Sequence, residues 1–345
     1  GARRSVMPHT KQLASPHTLR TLKSAHVHVD ERVHPPAQRA LRLPWCIGTR
    51  RHPHRSQIAD RFRRHLCGDA FYSLDDVATP QPTGNPGTFT CTIHPGWSLF
   101  RGRGCFGGVL MAQLARAASL LLPAERQLRS MNTTFLAAAN PGEIEIRTSM
   151  LRSGKGMSTV AAEARQDGEV LTVAHLTFGT SRPGSFTAPS VVIPAVPGPN
   201  EGDVHVNLHT PEFFNKAIEA RWVGDDRLFS GVDDPTLRLW IRLAGPAVTK
   251  DCGLLVALLD APPPPLWCSL TTPALVASAS IHLQVLVDPA RLPGARPWFL
   301  YESRRSHAAD GHSDIQGRLW AEDGRLCGVV TQHIADFSSS LYPSK

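Results

Sequence analysis

Phe106–Leu122 reads FGGVLMAQLARAASLLL: two glycines lead into a run that is apolar on nearly every side, interrupted by Gln113, Arg116 and Ser119. That pattern predicts a buried helix rather than a surface one. Around it the periodicity is that of strands. Thr88–His94 (TFTCTIH) alternates before the helix, and Arg129–Ala138, Glu143–Arg152, Met157–Ala164 and Glu169–Gly179 follow it. The breaks between them (Asn140-Pro141-Gly142, Ser153-Gly154, Asp167-Gly168) are short turns, too short for helical crossovers. An antiparallel sheet packed on one central helix is the expectation.

The plan then repeats. Leu243–Asp260 (LAGPAVTKDCGLLVALLD) is a second apolar, glycine-containing helical stretch, stopped by Pro262–Pro265. A helix or strand over Glu212–Trp222 and a stretch over Leu237–Leu243 precede it. Strands at Val276–Val287, Trp298–Ser303, Ile315–Ala321 and Leu326–Ala335 follow, the last two joined at Asp323-Gly324. Between the copies, 182–202 is rich in Pro and Gly, as a linker is. The reading is an α+β double unit: a basic tail at 1–65, a first unit at 66–181, the linker at 182–202 and a second unit at 203–345. Duplicated units pack against each other, and their seam is a natural place for a site.

The net charge of +8 belongs to the tail. Residues 1–65 hold fourteen Lys/Arg against three acids, so the rest of the chain sums to −3. This excludes a nucleic-acid reading for the folded body. The tail lacks an apolar period and is expected to be loosely structured. It begins with Gly, as a fragment or a translated upstream region would, and its Arg-rich, acid-poor composition resembles an organelle transit peptide. Localisation is therefore expected to be cytoplasmic, or mitochondrial if that leader is genuine. The seven cysteines show no C-x-x-C spacing, which fits a reducing compartment and argues against a zinc framework. No apolar run reaches the length of a membrane span.

Several short motifs carry little. Gly102–Gly107 satisfies G-x-G-x-x-G, but a dinucleotide site needs a parallel βαβ unit that this pattern lacks; the glycines instead let a helix end approach the sheet. No G-x-S-x-G elbow exists. His205 and His209 have helical spacing without the Glu of a metalloprotease, and read as a surface pair. Asp260 is different, since it ends the run Leu254–Leu259. Burial and the helix C-terminus would both raise its pKa, as a general base for water requires. The same residue could equally cap the proline turn in solvent.

Phe106–Gln113, Arg129-Ser130, Phe135-Leu136, Pro141-Gly142, Leu151–Gly154 and Gln166–Gly168 resemble, in that order, the acyl-CoA thioesterase II (TesB-like) family. The resemblance spans about residues 69–340. It implies two fused hotdog units, each an antiparallel sheet wrapped around a central helix, with the sheets side by side. It also implies hydrolysis of acyl-CoA to free acid and CoA, without metal or organic cofactor. The family's water-activating Asp, Thr and Gln fall on Asp260, Ser280 (in Ala279-Ser280-Ile281) and Gln332. Departures occur at His282, where the family has an acid, and at Met131, where it has His. The helix entry at Gly107 and Gly108 would meet the thioester carbonyl, and Arg152 and Arg304, with Arg305, are candidates for the CoA phosphates. The partner implied is the acyl-CoA substrate, with homo-oligomerisation left open; charge and apolar patterning point to no nucleic acid and no membrane. Aligning the Asp-Gly turns sets Gln332 opposite Leu176, so a single active site is expected. Rival readings are a hotdog hydratase or dehydratase, disfavoured because neither central helix carries His, and a non-catalytic acyl-binding module.

Overall fold

The computed structural model describes residues 72–99, 104–182, 184, 188–205, 210–245 and 247–337. The basic tail, Gly102, His209 and the C-terminal Pro343–Lys345 lie outside the described residues.

The first unit opens with α1 (Leu74–Ala78), started by a capping box in which Ser73 Oγ accepts from the Asp76 amide and Asp76 accepts from the Ser73 amide. β1 (Gln81–Pro82) and β2 (Thr88–Ile93) follow, and Phe89, Cys91 and Ile93 of β2 face the core. The central helix α2 spans Gly107–Ser119 and is buried along almost its whole length. Its Gln113 is tolerated there because the side-chain amide donates to the Val77 carbonyl at 2.8 Å. β3 (Gln127–Phe135), β4 (Gly142–Ser153), β5 (Met157–Gln166) and β6 (Glu169–Gly179) then form the meander. Asp167 (φ 51°) and Gly168 (φ 84°) both take the left-handed conformation that a two-residue hairpin turn demands.

The second unit contains β7 (Asp203–Val204), α3 (Glu212–Ala217), β8 (Ile218–Trp222) and β9 (Thr236–Leu243). The central helix α4 (Cys252–Asp260) comes next, then the one-turn α5 (Leu266–Ser269). The unit ends with β10 (Val276–Val285), β11 (Phe299–Arg304), β12 (Ala308–Ala309), β13 (His312–Ala321) and β14 (Leu326–Asp336). The second central helix is thus shorter than its apolar stretch implies. Leu243 ends a strand, Gly245 has φ 110°, and helix begins only where Asp251 caps the Leu254 amide. Glu212–Trp222 is both helix and strand, divided at Ala217–Ile218.

The duplication is written into the sheet. Strand order runs β1-β2-β4-β5-β6-β3-β10-β14-β13-β11-β9-β8-β7, with β12 beside β13. Copy one contributes 2-4-5-6-3 and copy two the mirrored 10-14-13-11-9, which is the same meander met in reverse. The two sheets lie side by side, and β3 and β10 pair so that they form one continuous antiparallel sheet, which removes both inner edges. Asn132 pairs with His282 at the centre of that seam, and Asn132 Oδ1 and His282 Nδ1 lie 2.5 Å apart. The core is continuous across the two copies. No helix among the described residues is long and apolar enough to cross a membrane.

Candidate active site

α2 and α4 pack against each other in opposite directions. At one corner the C-terminal end of α4 meets the glycines that start α2; at the other, Arg116 of α2 meets Asp251 at the start of α4. The first corner holds a buried carboxylate. Asp260 is the last residue of α4, where Pro262–Pro265 prevent the helix from continuing. Its Oδ1 accepts the Gln332 Nε2–H at 2.8 Å, and the Gly108 backbone N–H donates to the same carboxylate. Burial pushes the Asp260 carboxyl up to about 7, and these two donors only partly offset that. The solvent-capping reading of Asp260 is therefore replaced by a desolvated carboxyl at the wall of a pocket.

The pocket holds about 380 Å³. Its walls are apolar and largely aromatic: Phe106, Phe135, Phe213, Phe214 and Trp267, together with Pro262–Pro264. Phe106 and Phe213 stack with centroids 4.0 Å apart, so residues more than a hundred positions apart form one face. Among the described lining residues Asp260 is the one charged group, and Ser278 and Gln332 are polar beside it. An apolar cleft with a few convergent polar groups is the form of a small-molecule site. Cys105 also lines it, but burial pushes its thiol well above the usual range, which removes the thiolate a nucleophile would need.

Gly107 explains how close the two helices come. A Cβ there would sit 2.9 Å from Phe135 Cζ and 3.0 Å from Asp260 Oδ2. Gly107→Ala is expected to push the carboxylate aside and lower kcat/KM on the order of tenfold or more, while the protein still melts cooperatively. Wild-type turnover by the purified variant would show that Asp260 need not hold this position.

Not every residue expected at the site reaches it. Ser280 pairs with Thr134 on one side and His333 on the other, both on the outward face, so its side chain faces away from the pocket. Strand alternation alone sets this, because Ile281 points inward opposite Gln332; beyond it a β-bulge at Ala279 shifts the register, so that Ser278 pairs with Ile334 and turns inward. Ser278 Oγ lies 3.4 Å from Gln332 Oε1. Bulges leave no periodic trace, so no local pattern signals the inward turn of Ser278. Arg152 and Arg304 are exposed and do not line the pocket; Arg304 alternates with the buried Ser303 and so faces outward. Arg305 is engaged by Ser269 Oγ and the Asp233 carbonyl. Nor is His205 a surface residue. Its ring stacks on Trp222 and meets the edge of Phe214, and burial, aided by Arg227, holds it near 4 and therefore neutral. The aromatic wall escaped the sequence reading because Phe213, Phe214 and Trp267 sit on one- and two-turn helices too short for periodicity to single out.

Residues 93–179 match the acyl-CoA thioesterase N-terminal domain and residues 192–335 the acyl-CoA thioesterase C-terminal domain. The chain belongs to the acyl-CoA thioesterase family. It is a thioester hydrolase with the double hotdog fold. Acyl-coenzyme A thioesterase 8 of Mus musculus is similar at 23% identity over 259 residues, covering 66% of this chain and 78% of the mouse protein. The human protein of the same name is 23% identical over 274 residues, covering 68% and 83%. A hot dog fold protein from Alicyclobacillus acidocaldarius superposes with a TM-score of 0.69 at 24% identity, over 78% of this thioesterase and all of that chain. The acyl-CoA thioesterase II TesB2 from Mycobacterium marinum gives 0.63 at 18% identity, over 78% and 100%. At these identities the structural likenesses speak for the fold.

Proposed function

We propose that this thioesterase hydrolyses acyl-CoA to free acid and CoA by direct attack of a water that Asp260 deprotonates and Gln332 helps to hold. The single observation that carries the reading is the Asp260 carboxylate, raised to about 7 and bonded to the Gln332 amide inside an apolar pocket. A base with a pKa near the working pH combines a useful anionic fraction with real basicity. One amide N–H of Gln332 fixes the carboxylate, and the other is free to orient the water. The acyl group lies against the aromatic wall. The N–H of Gly107, at the first helical position, has no intrahelical acceptor, so it meets the carbonyl oxygen as negative charge develops.

The steps balance simply. Water oxygen adds to the thioester carbon as its proton passes to Asp260. The tetrahedral intermediate then expels the CoA thiolate, which takes that proton back. No step is assigned to a metal or an organic cofactor. Absence of His from Gly107–Ser119 and Cys252–Asp260 favours hydrolysis over hotdog hydration chemistry. We place one site in each chain, because the opposite corner holds Arg116 locked between carboxylates and the strand position matching Gln332 is the buried Leu176. We also read residues 66–181 and 203–345 as the two hotdog units and 182–202 as their connection.

The test is hydrolysis of a panel of short to long acyl-CoAs, with kcat/KM followed against pH. The rate is expected to rise tenfold per pH unit on the acid side and level off with an apparent pKa near 7, because the deprotonated carboxylate is the active form. Gln332→Ala should lower turnover at least tenfold. A profile flat from pH 5 to 8 would sink Asp260 as the base, and no turnover on any chain length would favour an acyl-binding module.

A further inference from the structure

We propose that Ser278, rather than the serine aligned with the family's hydroxyl, is the positioning residue that fixes the Gln332 side chain for water activation. This rests on the reading of Asp260 and Gln332 above. A glutamine amide can sit in either of two orientations, and only one suits this site. Asp260 as a carboxylate accepts hydrogen bonds, so it needs the NH₂ of Gln332 and is repelled by the carbonyl. The Ser278 hydroxyl supplies the matching constraint from the other end. It donates to Gln332 Oε1 at 3.4 Å while Nε2 donates to Asp260 at 2.8 Å. Hydroxyl, amide and carboxylate thus form a directional chain in which each bond polarises the next.

The bulge at Ala279 creates this arrangement. With an unbroken register, Ile281 pointing inward would force Ser280 and Ser278 outward and Ala279 inward. The additional residue leaves Ser280 on the outer face between Thr134 and His333 and brings Ser278 beside Ile334 in the pocket wall. Sequence similarity follows residue order, whereas the function follows the face of the strand. The hydroxyl that does the work has therefore moved two positions along the chain.

Ser278→Ala and Ser280→Ala separate the two assignments. Ser278→Ala is expected to lower kcat on the order of tenfold with KM within twofold of wild type. It should also move the acid limb of the pH–rate profile to higher pH, because a loosened amide stabilises the carboxylate less. Ser278→Thr should restore both rate and profile, and Ser280→Ala should stay within twofold of wild type throughout. Loss of activity in Ser280→Ala with a normal Ser278→Ala would overturn the proposal. So would a slower Ser278→Ala whose melting temperature drops while its pH profile stays put, since that marks a merely structural role. If Asp260→Asn and Gln332→Ala also keep full turnover, the base assignment itself has failed; if they are impaired and Ser278→Ala is not, only the serine is wrong.

Discussion

Asp260→Asn is expected to lower kcat/KM by roughly 10²–10⁴, the range a positioned general base contributes. The amide is nearly isosteric, so the Gly107 contact and the pocket wall survive while the proton acceptor is lost. Stability should move the other way. The folded protein holds the Asp260 proton up to about pH 7, whereas an ordinary carboxyl releases it near 3.8. The folded state therefore binds the proton more tightly. Its advantage is complete below the ordinary pKa, is eroded as pH rises, and is gone above about 7, where a buried anion must be tolerated. Asn carries no such cost. The variant should be more stable than wild type at pH 8 by ~1–3 kcal/mol, less than a sealed site would give because the carboxylate opens to the pocket, and equal to it near pH 4. Denaturant melts at the two pH values, run beside the kinetic assay, measure both effects. An inactive variant that is also destabilised at pH 8 would mean that Asp260 holds structure and is not poised as a base.

The strand meanders, the central helices and the Asp-Gly hairpins were legible because each obeys a period or a turn chemistry confined to neighbouring residues. Asp260 was visible for a similar reason: a carboxylate ending an apolar helix is an anomaly that local reasoning detects. Its environment was not, since the Gly108 N–H and the Gln332 amide arrive from elements 152 and 72 positions away along the chain. Leu243–Lys250 is a strand end and loop, which apolar content alone does not distinguish from a helix. Ser280 faces outward because its neighbour Ile281 takes the inward place, and the one extra residue at Ala279 turns Ser278 to the inner face, an exchange that no local pattern signals. Arg152 and Arg304 stand out by charge alone, and charge says nothing about which side of a strand a residue occupies.

Arg116→Met is expected to cost about 2–4 kcal/mol, below the loss for a fully buried pair because both carboxylates are partly solvated, since it strips the cation from a partly buried three-part cluster. Arg116 Nη2 lies 2.6 Å from Asp75 Oδ1, and its Nε lies 2.8 Å from Asp251 Oδ2, with the Arg116 side chain only 8% exposed. Thr249 adds two bonds to Asp75 through its amide and hydroxyl. Removing the guanidinium leaves two half-buried carboxylates, 34% and 32% exposed, without the cation that holds them together. Gly253 shows how closely the corner is built, since a Cβ there would lie 2.6 Å from Arg116 Nε. The cluster ties α1, α2 and the start of α4, and so joins the two copies at the corner opposite Asp260. Burial works against ionisation of Asp75, but its bonds to Arg116 and Thr249 prevail and hold its pKa below 3.8. The stabilisation it provides is accordingly present above that value and fades as pH falls through the lowered one. The gap between wild type and Arg116→Met should thus be wide at pH 7 and begin to close only as pH falls below 3.8. Arg116→Lys should fall between them, keeping the charge but losing the two-pronged geometry. Because the cluster sits roughly two helical turns from Gly108, about 12 Å, kcat per folded molecule at 25 °C should change little. A loss below about 1 kcal/mol at pH 7 would reduce these contacts to ordinary surface pairing. A collapse of kcat in the folded variant would instead mean that the two corners communicate along the paired helices.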